Sequence, residues 1–430
     1  MNNVISFAGI FILIAFCWAI SSNRRMVNWK TVASGVGIQI AFALLVFVVP
    51  GGSSVFLFLN DLVVKMLDGV SAGSRFVFGR LALPPGAVDA SGQESLGFFI
   101  AFQALPTIIF FASLMGLLYY VGLLPRLIKL FSRIFTRIMG ISGAESLCAA
   151  SNIFVGVESA TTVRPYIERM TRSELCTMLS VGMGTIASSV MGFYVFILQA
   201  KFPTIAGHLI SASVLSAPAA IVVSKMLVPE EGKPVTLGVD VEPEYDRDST
   251  AIESVIKGAN DGLKLVFGIV ALLIALIGLV TIADTLLIWI GGLIGAGDKL
   301  SLESILGYVA YPFTLAIGVP QADAMEIARL IGERMVVTEV KAYQDLAVLM
   351  AEGRLTDPRS AVIATYALCG FAHVASMAIF VGGISAIVPS RLKDISGLGF
   401  RALIAATIAC LMTAAVAGTF YTSTSVIFGG

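Results

Sequence analysis

The sequence predicts an all-α integral membrane protein with eight transmembrane helices, two re-entrant helical hairpins and interfacial helices. Three observations lead to this fold class: a strongly apolar composition, eight apolar runs long enough to span a bilayer, and two further apolar segments that carry charged residues. Of the 430 residues, 57% are hydrophobic and only 13% are charged. Such a chain cannot bury its apolar side chains in one water-soluble core, so the solvent for most of them must be lipid.

The eight apolar runs predict the transmembrane spans, because a helix of about 20 residues crosses the hydrocarbon layer of a bilayer. The first run is expected to remain as a membrane anchor. No positive charge precedes it, and Arg24 and Arg25 follow it, unlike the arrangement in a cleavable signal peptide. The runs lie near residues 4–21, 31–50, 97–124, 173–200, 204–228, 265–296, 360–389 and 399–421.

Basic residues in the loops predict the orientation of the spans. Lys and Arg accumulate in short cytoplasmic loops, and Arg24, Arg25 and Lys30 follow the first run. The N-terminus is therefore expected outside, and the inner loops that alternate from that start hold most of the Lys and Arg residues. These loops are 22–30, 125–138, 164–172, 225–264 and 390–401. The equal numbers of basic and acidic residues, 28 each, argue against nucleic acid as a partner.

Two segments between the spans predict helices that lie along the membrane surface. In 51–95, apolar residues recur at helical spacing, but the segment is too polar and too rich in Gly to span, so we expect an outer interfacial helix. In 125–139, basic residues at spacings of three and four predict an inner interfacial helix whose basic face contacts phospholipid headgroups. The polar stretch 229–252 has no hydrophobic period and is expected to be a cytoplasmic loop between two halves.

Two segments, near 143–165 and 319–346, are partly apolar but charged, and one lies in each half of the chain. Irregular backbone at membrane depth survives only around a cavity, and broken helical hairpins at corresponding places in two halves bring carbonyls and helix ends to a midplane site in transporters. We therefore expect two re-entrant hairpins around one site. Their charged residues are Glu145, Glu158, Glu333, Arg334 and Glu339.

Glu158 and Glu339 are candidate functional residues, since a carboxylate at membrane depth is costly unless it is solvated or paired. For Glu339 the alternative is a structural ion pair with Lys341 or Arg334. The seventh run places Phe371, His373 and Ser376 in an apolar context, which suits the hydroxyl groups of a sugar and a flat base. Alternatively, His373 hydrogen-bonds a neighbouring helix.

The fourth run contains Gly182–Val190, a stretch rich in small residues. Close helix packing explains several of these residues, and the hydroxyl of Thr185 could be one of the oxygen ligands of a cation. Catalytic motifs of metalloproteases, serine hydrolases and phosphate-binding loops are absent from the sequence, and its two histidines lie far apart. The five cysteines form no C-x-x-C pair. We therefore expect neither an enzyme nor a zinc site.

Several motifs resemble the concentrative nucleoside transporter family, in the same order and over nearly the whole chain. They are Phe102–Phe111 (FQALPTIIFF), Asn152–Gly156 (NIFVG), Arg164–Tyr166 (RPY), Gly318–Pro320 (GVP), Thr338–Glu339 and Tyr366–Ala372 (YALCGFA). The resemblance implies a homotrimer in which a transport domain moves like an elevator against a fixed scaffold. It also implies residence in a bacterial inner membrane.

The resemblance implies a division of the chain between scaffold and transport domain. Residues 1–124 would be scaffold spans one to three with the outer interfacial helix, and 264–298 would be span six of the scaffold. Residues 125–228 would hold the inner interfacial helix, the first hairpin and spans four and five of the transport domain. The cytoplasmic loop would be 229–263, and 299–430 would contain the second hairpin with spans seven and eight.

The family's functional residues can be carried over by motif, with spans four and seven partly unwound around the site. The implied substrate-binding residues are Glu158, Val190, Glu339, Phe371, His373 and Ser376. The implied cation-binding residues are Asn152, Val155, Thr185 and Ile186, a set that would hold Na⁺. No cofactor is implied other than a coupling ion.

Three departures from the family pattern indicate a divergent subgroup. The first hairpin tip reads Gly156-Val157-Glu158, which is one residue short and lacks the polar side chains that usually precede the glutamate. His373 replaces an Asn of the family, and Thr338 replaces the Asn before Glu339. Because His can be neutral or charged near neutral pH, the coupling ion stays open between Na⁺ and H⁺, with Glu158, Glu339 or His373 as the proton carrier.

The function that we expect from the resemblance is cation-coupled symport of nucleosides into the cell. One alternative is a symporter of the same fold for another polar solute, such as a nucleobase or a modified nucleoside. The other is a membrane sensor or gate that does not transport. The expected partners are the nucleoside, the cation, the lipid bilayer and two further copies of the chain.

Overall fold

The computed structural model describes residues 2–89, 92–243, 248–293, 295, 300–423 and 427, and these residues form an α-helical protein. In the first half the helices are α1 (Asn2–Ala19), α2 (Trp29–Phe47), α3 (Pro50–Phe78), α4 (Ile100–Gln103), α5 (Pro106–Tyr120), α6 (Leu123–Ile134), α7 (Gly143–Asn152), α8 (Arg164–Ile167), α9 (Arg172–Gly184), α10 (Ser188–Leu198) and α11 (Ile205–Leu227). In the second half they are α12 (Ala251–Leu293), α13 (Leu302–Ala316), α14 (Ala324–Val336), α15 (Glu339–Ala351), α16 (Pro358–Leu368), α17 (Val374–Ile387) and α18 (Leu392–Phe420).

The predicted spans are present, and two of them are broken. Within the described residues, seven helical segments are long and apolar enough to cross a membrane, and they coincide with seven of the predicted runs. The remaining run, 360–389, is divided between α16 and α17, so neither half has the full length. The fourth span is likewise divided between α9 and α10. The all-α membrane fold predicted from the sequence is confirmed.

The cytoplasmic loop predicted over 229–263 is shorter than expected. Helix α12 begins at Ala251, so the last part of the predicted loop belongs to a helix of 43 residues. The hydroxyl of Thr250 accepts a hydrogen bond from the backbone N–H of Glu253 at 3.1 Å, which caps the helix start. Acidic and basic residues hid this part of the helix, because they interrupt the apolar run from which the span was predicted.

The two predicted interfacial segments are helical, as α3 and α6. The basic residues of α6 and of the helical turn Phe135–Met139 that follows it, which we expected to contact headgroups, also pair with acidic residues of the loop between α11 and α12. Arg137 lies 3.2 Å from Asp240, and Arg133 lies 3.8 Å from the same carboxylate. Lys129 pairs with Glu242. These partners lie about a hundred positions further along the chain, so local sequence gave no sign of them.

Helices α11 and α18 form the centre of the molecule. In their most apolar windows 89% and 83% of the residues are buried, whereas none is buried in that of α12. Helix α11 packs on α2 and α9, and α18 packs on α1, α9 and α16. Helix α12 packs chiefly against α5, which in turn contacts α10. The α5–α12 pair therefore forms a separate wall beside the core.

The two halves repeat the same order of elements. In the first, α5 and α6 lead to a hairpin made of α7 and the 3₁₀ segment Val157–Val163, then to broken span four and to α11. In the second, α12 and α13 lead to the hairpin α14–α15, then to broken span seven and to α18. A pair of short helical segments thus lies before each broken span, at the places where the two hairpins are predicted.

Glycine allows the broken spans to approach each other. At Gly370, φ is +149°, and an added Cβ would lie 2.7 Å from Cys410 Sγ and 2.9 Å from the carbonyl oxygen of Gly184. At Gly182, an added Cβ would lie 2.3 Å from the ring of Phe380. Close helix packing, one of the two interpretations of the stretch Gly182–Val190, therefore accounts for Gly182. Gly370 is required both by its backbone conformation and by the lack of space for a side chain.

Replacing Gly370 with Ala is expected to destabilise the protein by at least about 2 kcal/mol, because a non-glycine residue in such a conformation costs about 1–3 kcal/mol and the new methyl group meets backbone. The measurement is the thermal unfolding midpoint of the purified protein in detergent. Gly382→Ala is the control, since that glycine lies in the second half of the same span and its added Cβ meets nothing within 4 Å. Equal midpoints for the two variants would contradict the prediction.

Candidate functional site

A cavity of about 130 Å³ lies where both hairpins meet the breaks of spans four and seven. Its remaining wall is formed by Leu265, Ile269, Leu272 and Leu273 of α12. The structure brings together at this cavity all six residues that the resemblance assigns to substrate: Glu158, Val190, Glu339, Phe371, His373 and Ser376.

Glu339 is held from two sides at the start of α15. The hydroxyl of Tyr194 on α10 donates to Glu339 Oε1 at 2.6 Å, and His373 Nε2 lies 2.9 Å from Oε2. All three side chains are buried. The carboxylate also occupies the first turn of its helix, where the helix dipole favours negative charge. The second hairpin is therefore tied to both broken spans through one carboxylate.

His373 forms the N-cap of α17, which fixes its tautomer. Its Nδ1 accepts a hydrogen bond from the backbone N–H of Ser376 at 3.1 Å, while the hydroxyl of Ser376 accepts from the N–H of His373 at 3.3 Å. Because Nδ1 is an acceptor here, the ring proton belongs on Nε2, facing Glu339. A second proton on Nδ1 would break the cap. His373 Nε2 thus faces the carboxylate of the second hairpin.

The alternative ion pairs of Glu339 are not formed. Lys341 lies 3.0 Å from Glu333 and also pairs with Asp345. Arg334 donates from Nη1 to the carbonyl of Ala367 at 2.6 Å. The side chains named as alternatives thus point away from the cavity carboxylate.

Sequence reasoning missed two tyrosines behind Glu339. The rings of Tyr194 and Tyr343 lie 4.7 Å apart between centroids, and both are fully buried. The hydroxyl of Tyr343 donates to the carbonyl of Thr365 at 2.7 Å. Spacing gave a usable signal, because Tyr343 follows Glu339 by four positions and Tyr194 follows Val190 by four, which places each pair on one helix face.

Glu158 lies at the tip of the first hairpin, where it is exposed to the cavity. Across the described part of the chain, no cationic side chain lies within ion-pair distance of it. It also lines a second cavity of about 260 Å³, which shares Gly156, Ser189 and Leu265 with the first. The two cavities therefore adjoin at the hairpin tip, and we refer to the pair, from Glu339 to the far end of the second cavity, as the path.

The path reaches the first turns of α12, where it becomes polar. Asp248, Ser254, Lys257 and Asp261 line this end. The hydroxyl of Ser254 donates to Asp248 Oδ2 at 2.6 Å, which together with Lys257 lowers the pKa of the Asp248 carboxyl. Acidic and basic side chains thus line the second cavity near the start of α12.

The four residues assigned to a cation lie on two segments that are held together. The hydroxyl of Ser213 on α11 donates to the carbonyl of Ile153 at 2.8 Å and lies 3.3 Å from that of Ile186. The N–H of Ser188 donates to the carbonyl of Phe154 at 3.1 Å. The first hairpin, which carries Asn152 and Val155, therefore abuts the break of span four, which carries Thr185 and Ile186.

The donor set at this junction consists of neutral oxygens. Asn152 is fully buried, and its Nδ2 donates to the carbonyl of Cys148 at 3.0 Å, while its Oδ1 has no hydrogen-bond partner among the described residues. Thr185 donates to the carbonyl of Val181 at 2.9 Å, which leaves lone pairs on its hydroxyl oxygen. The described residues contain no group of three or more His, Cys, Asp or Glu that could hold a metal ion. Amide, hydroxyl and carbonyl oxygens fit a hard cation.

These features define an all-helical membrane transporter with a central site between two hairpins. The family models that match are "Na+ dependent nucleoside transporter C-terminus" over residues 208–418, "Na+ dependent nucleoside transporter N-terminus" over 8–81 and "Nucleoside recognition" over 101–201. The chain belongs to the concentrative nucleoside transporter family, which is a family of transporters and not of enzymes.

Relatives and solved structures agree with this assignment. An uncharacterized transporter of Haemophilus influenzae is 37% identical over 98% of each chain. Solute carrier family 28 member 3 of Mus musculus is 36% identical over 97% of this chain, which spans 59% of that protein's length. The sodium/nucleoside cotransporter 1 of Rattus norvegicus is 34% identical over 98% of this chain and 64% of its own. CNTnw in an inward-facing substrate-bound state is 33% identical, with 98% of each chain covered and a TM-score of 0.85.

Replacing Ser213 with Ala is expected to destabilise the protein by about 1–3 kcal/mol, because buried carbonyls of the first hairpin and span four lose a donor. The thermal unfolding midpoint in detergent measures the effect. Ser216→Ala is the control on the same helix, since among the described residues the hydroxyl of Ser216 hydrogen-bonds the hydroxyl of Thr413, which keeps a bond to the carbonyl of Ala409. An unfolding midpoint for Ser213→Ala as high as that of the control would show that the hydrogen bond from Ser213 to the first hairpin contributes little to stability.

Proposed function

We propose that the protein is a secondary active symporter that carries nucleosides into the cell with a cation, in a bacterial inner membrane. The observation that carries the proposal is the single cavity in which the Glu339 carboxylate, the first hairpin tip and the ends of two broken spans converge. The family models described as sodium-dependent nucleoside transporters support the coupling to a cation.

The cavity suits a nucleoside because it has a polar and an apolar side. In this proposal, Glu339, His373 and Ser376 bind the hydroxyl groups of the sugar, while Val190 and Phe371 pack against the flat base. The cavity meets the N-terminal ends of α10, α15 and α17. Partial positive charge at these ends favours the carboxylate and the hydroxyl oxygens that bind there.

Base recognition depends on Glu158 in this proposal. The hairpin tip lacks the polar side chains that the family usually has before its glutamate, which leaves the exposed Glu158 carboxylate to accept hydrogen bonds from the base. This departure also keeps a second substrate class in view, a nucleobase or modified nucleoside, for which contacts to the sugar would matter less.

We place the coupling cation at Asn152, Val155, Thr185 and Ile186. The unpartnered, buried Oδ1 of Asn152 favours a sodium site there. For a proton, the candidates are Glu158, Glu339 and His373. The cap formed by His373 Nδ1 and the contacts of Glu339 with Tyr194 and His373 engage these two side chains within the protein. Glu158, which is exposed to the cavity, is the remaining proton candidate.

The transport step would move a domain that carries the cavity past the α5–α12 wall. With the N-terminus outside, as the loop charges predict, the first turns of α12 lie on the cytoplasmic side, and the path that reaches them would make this an inward-open conformation. We assign scaffold and transport roles by the division given above. Because α1 and α2 pack on α18 and α11, those contacts would have to slide during transport.

A homotrimer would cover the apolar surface of α12. Large side chains such as Phe267, Ile274 and Trp289 are exposed along this helix in the isolated chain. Lipid could cover part of this surface. Partner subunits would in addition give the moving domain a fixed frame.

Glu339→Gln is expected to reduce nucleoside uptake at least about tenfold, because hydrogen bonds to a charged group contribute about 1.5–3 kcal/mol each. Assembly should be unchanged, as read by size-exclusion chromatography. Glu352→Gln is the matched control on the same helical hairpin, where the side chain is exposed and lies 3.6 Å from Arg354. Full uptake by Glu339→Gln would remove Glu339 from the site.

Uptake of labelled uridine and adenosine into proteoliposomes, under a sodium gradient or a proton gradient, tests the coupling. We expect accumulation with the sodium gradient alone, and Asn152→Ala should raise the sodium concentration needed for half-maximal uptake. Accumulation driven only by protons would move the coupling to Glu158. Binding without accumulation would favour the sensor alternative, and competition by free bases but not by nucleosides would favour the second substrate class.

A further inference from the structure

Arg334 is a buried cation that the proposed transport mechanism does not use. It lies in the last turn of α14, the first arm of the second hairpin, and its side chain is fully buried. Within the described ranges, no carboxylate lies at ion-pair distance from it, and its Nε and Nη2 have no hydrogen-bond partner. An unpaired buried charge is strongly unfavourable, so another feature must stabilise it.

The stabilising feature is the C-terminal end of α16, where span seven breaks. Arg334 Nη1 donates to the carbonyl of Ala367, one residue before the helix ends. The neighbouring carbonyl of Thr365 accepts from Tyr343, and that of Cys369 accepts from the thiol of Cys410. The end of a helix carries partial negative charge from its unpaired carbonyls. A guanidinium placed there satisfies the carbonyl of Ala367 and is itself stabilised by the end of the helix.

The first half has a corresponding helix end without such a cation. Helix α9 ends at Gly184, at the break of span four, beside the last turn of the first hairpin arm α7. The hydroxyl of Ser213 on α11 lies 3.3 Å from the carbonyl of Ile186 at this break, and the thiol of Cys410 on α18 lies 3.2 Å from the carbonyl of Cys369 and 3.7 Å from that of Gly184. In the described structure no Lys or Arg donates to the last turn of α9. The first arm carries Asn152 in its last turn, where the second arm carries Arg334.

We infer that Arg334 is a fixed, positively charged counterpart of the coupling cation: it holds the break of span seven and the second hairpin in the binding conformation, as the mobile cation does for span four and the first hairpin. A guanidinium stays charged at all relevant pH values. Arg334 therefore holds the second hairpin and the break of span seven at all times, whereas the first hairpin and the break of span four need a bound cation. The inference rests on the proposed cation site. Arg334 is a positioning residue, because it acts on substrate through α16, α17 and Glu339.

The test compares nucleoside binding to the purified full-length protein, by isothermal titration calorimetry at saturating sodium, for three variants. Arg334→Lys keeps the charge and is expected to bind within about threefold of the unmodified protein, whereas Arg334→Gln is expected to bind at least about tenfold more weakly. Arg354→Gln is the control, since it removes an exposed charge from the same hairpin. Equal behaviour of the Lys and Gln variants would overturn the inference.

Chemical rescue separates charge from packing. Arg334→Ala leaves room for a guanidinium ion, so millimolar guanidinium is expected to restore nucleoside binding to this variant, whereas urea, which has the same shape but no charge, is not. Rescue by both compounds, or by neither while Arg334→Lys also fails, would reduce Arg334 to a packing residue. If Arg334→Ala does not assemble, the Lys and Gln variants decide, and failure of both to assemble counts against a role of charge.

A preceding measurement on the unmodified protein distinguishes the two proposals. Nucleoside binding that is not stimulated by sodium or by protons would overturn the proposed coupling, and with it this inference. Stimulated binding together with unimpaired binding by Arg334→Gln would overturn only the role of Arg334.

Discussion

Where spans four and seven break, backbone carbonyls and N–H groups lose their helical partners at membrane depth, and the rest of the site depends on how they are satisfied. Lipid offers no hydrogen bonds, so every partner must come from the protein or from what it binds. The N-terminal ends that result from the breaks face the cavity. The C-terminal ends lie behind it and require donors or cations. The breaks therefore dictate where polar residues may stand in an otherwise apolar core.

The central helices α11 and α18 supply part of this compensation. Ser213 bonds to carbonyls of the first hairpin and of span four, and Cys410 donates to the carbonyl of Cys369 in span seven. Ser213 lies on the span that follows broken span four, and Cys410 lies on the span that follows broken span seven, from where it also reaches the carbonyl of Gly184 in span four at 3.7 Å. Gly370 permits the close approach, because a side chain at that position would collide with Cys410 and with the backbone of span four.

Composition and hydrophobic runs predicted the class of fold and the positions of the spans, since both depend on local sequence. Charge at membrane depth identified Glu158, Glu339 and His373, which the structure brings to one cavity. The partners of these residues were not predictable in the same way. Tyr194 reaches Glu339 across 145 positions, and Asp240 reaches Arg137 across 103. Such contacts depend on the packing of the two halves, which no local pattern encodes. The start of α12 was missed for the opposite reason, because its polar first turns do not resemble a span.

The two hairpins differ in the protein contacts that hold them. The second is fixed by Glu339 between Tyr194 and His373 and by Arg334 at the end of α16. Both oxygens of Glu339 thus face a side chain of a broken span, and in the proposed function a sugar hydroxyl would share their remaining lone pairs. The first is held by hydrogen bonds of Ser213 and Ser188 to its carbonyls, while the buried Oδ1 of Asn152 has no hydrogen-bond partner in the described part of the chain. In the proposed cycle, cation binding at this junction would therefore stabilise the first hairpin more than the second. Cation binding would then change the affinity for the nucleoside mainly through the position of Glu158 on the first hairpin.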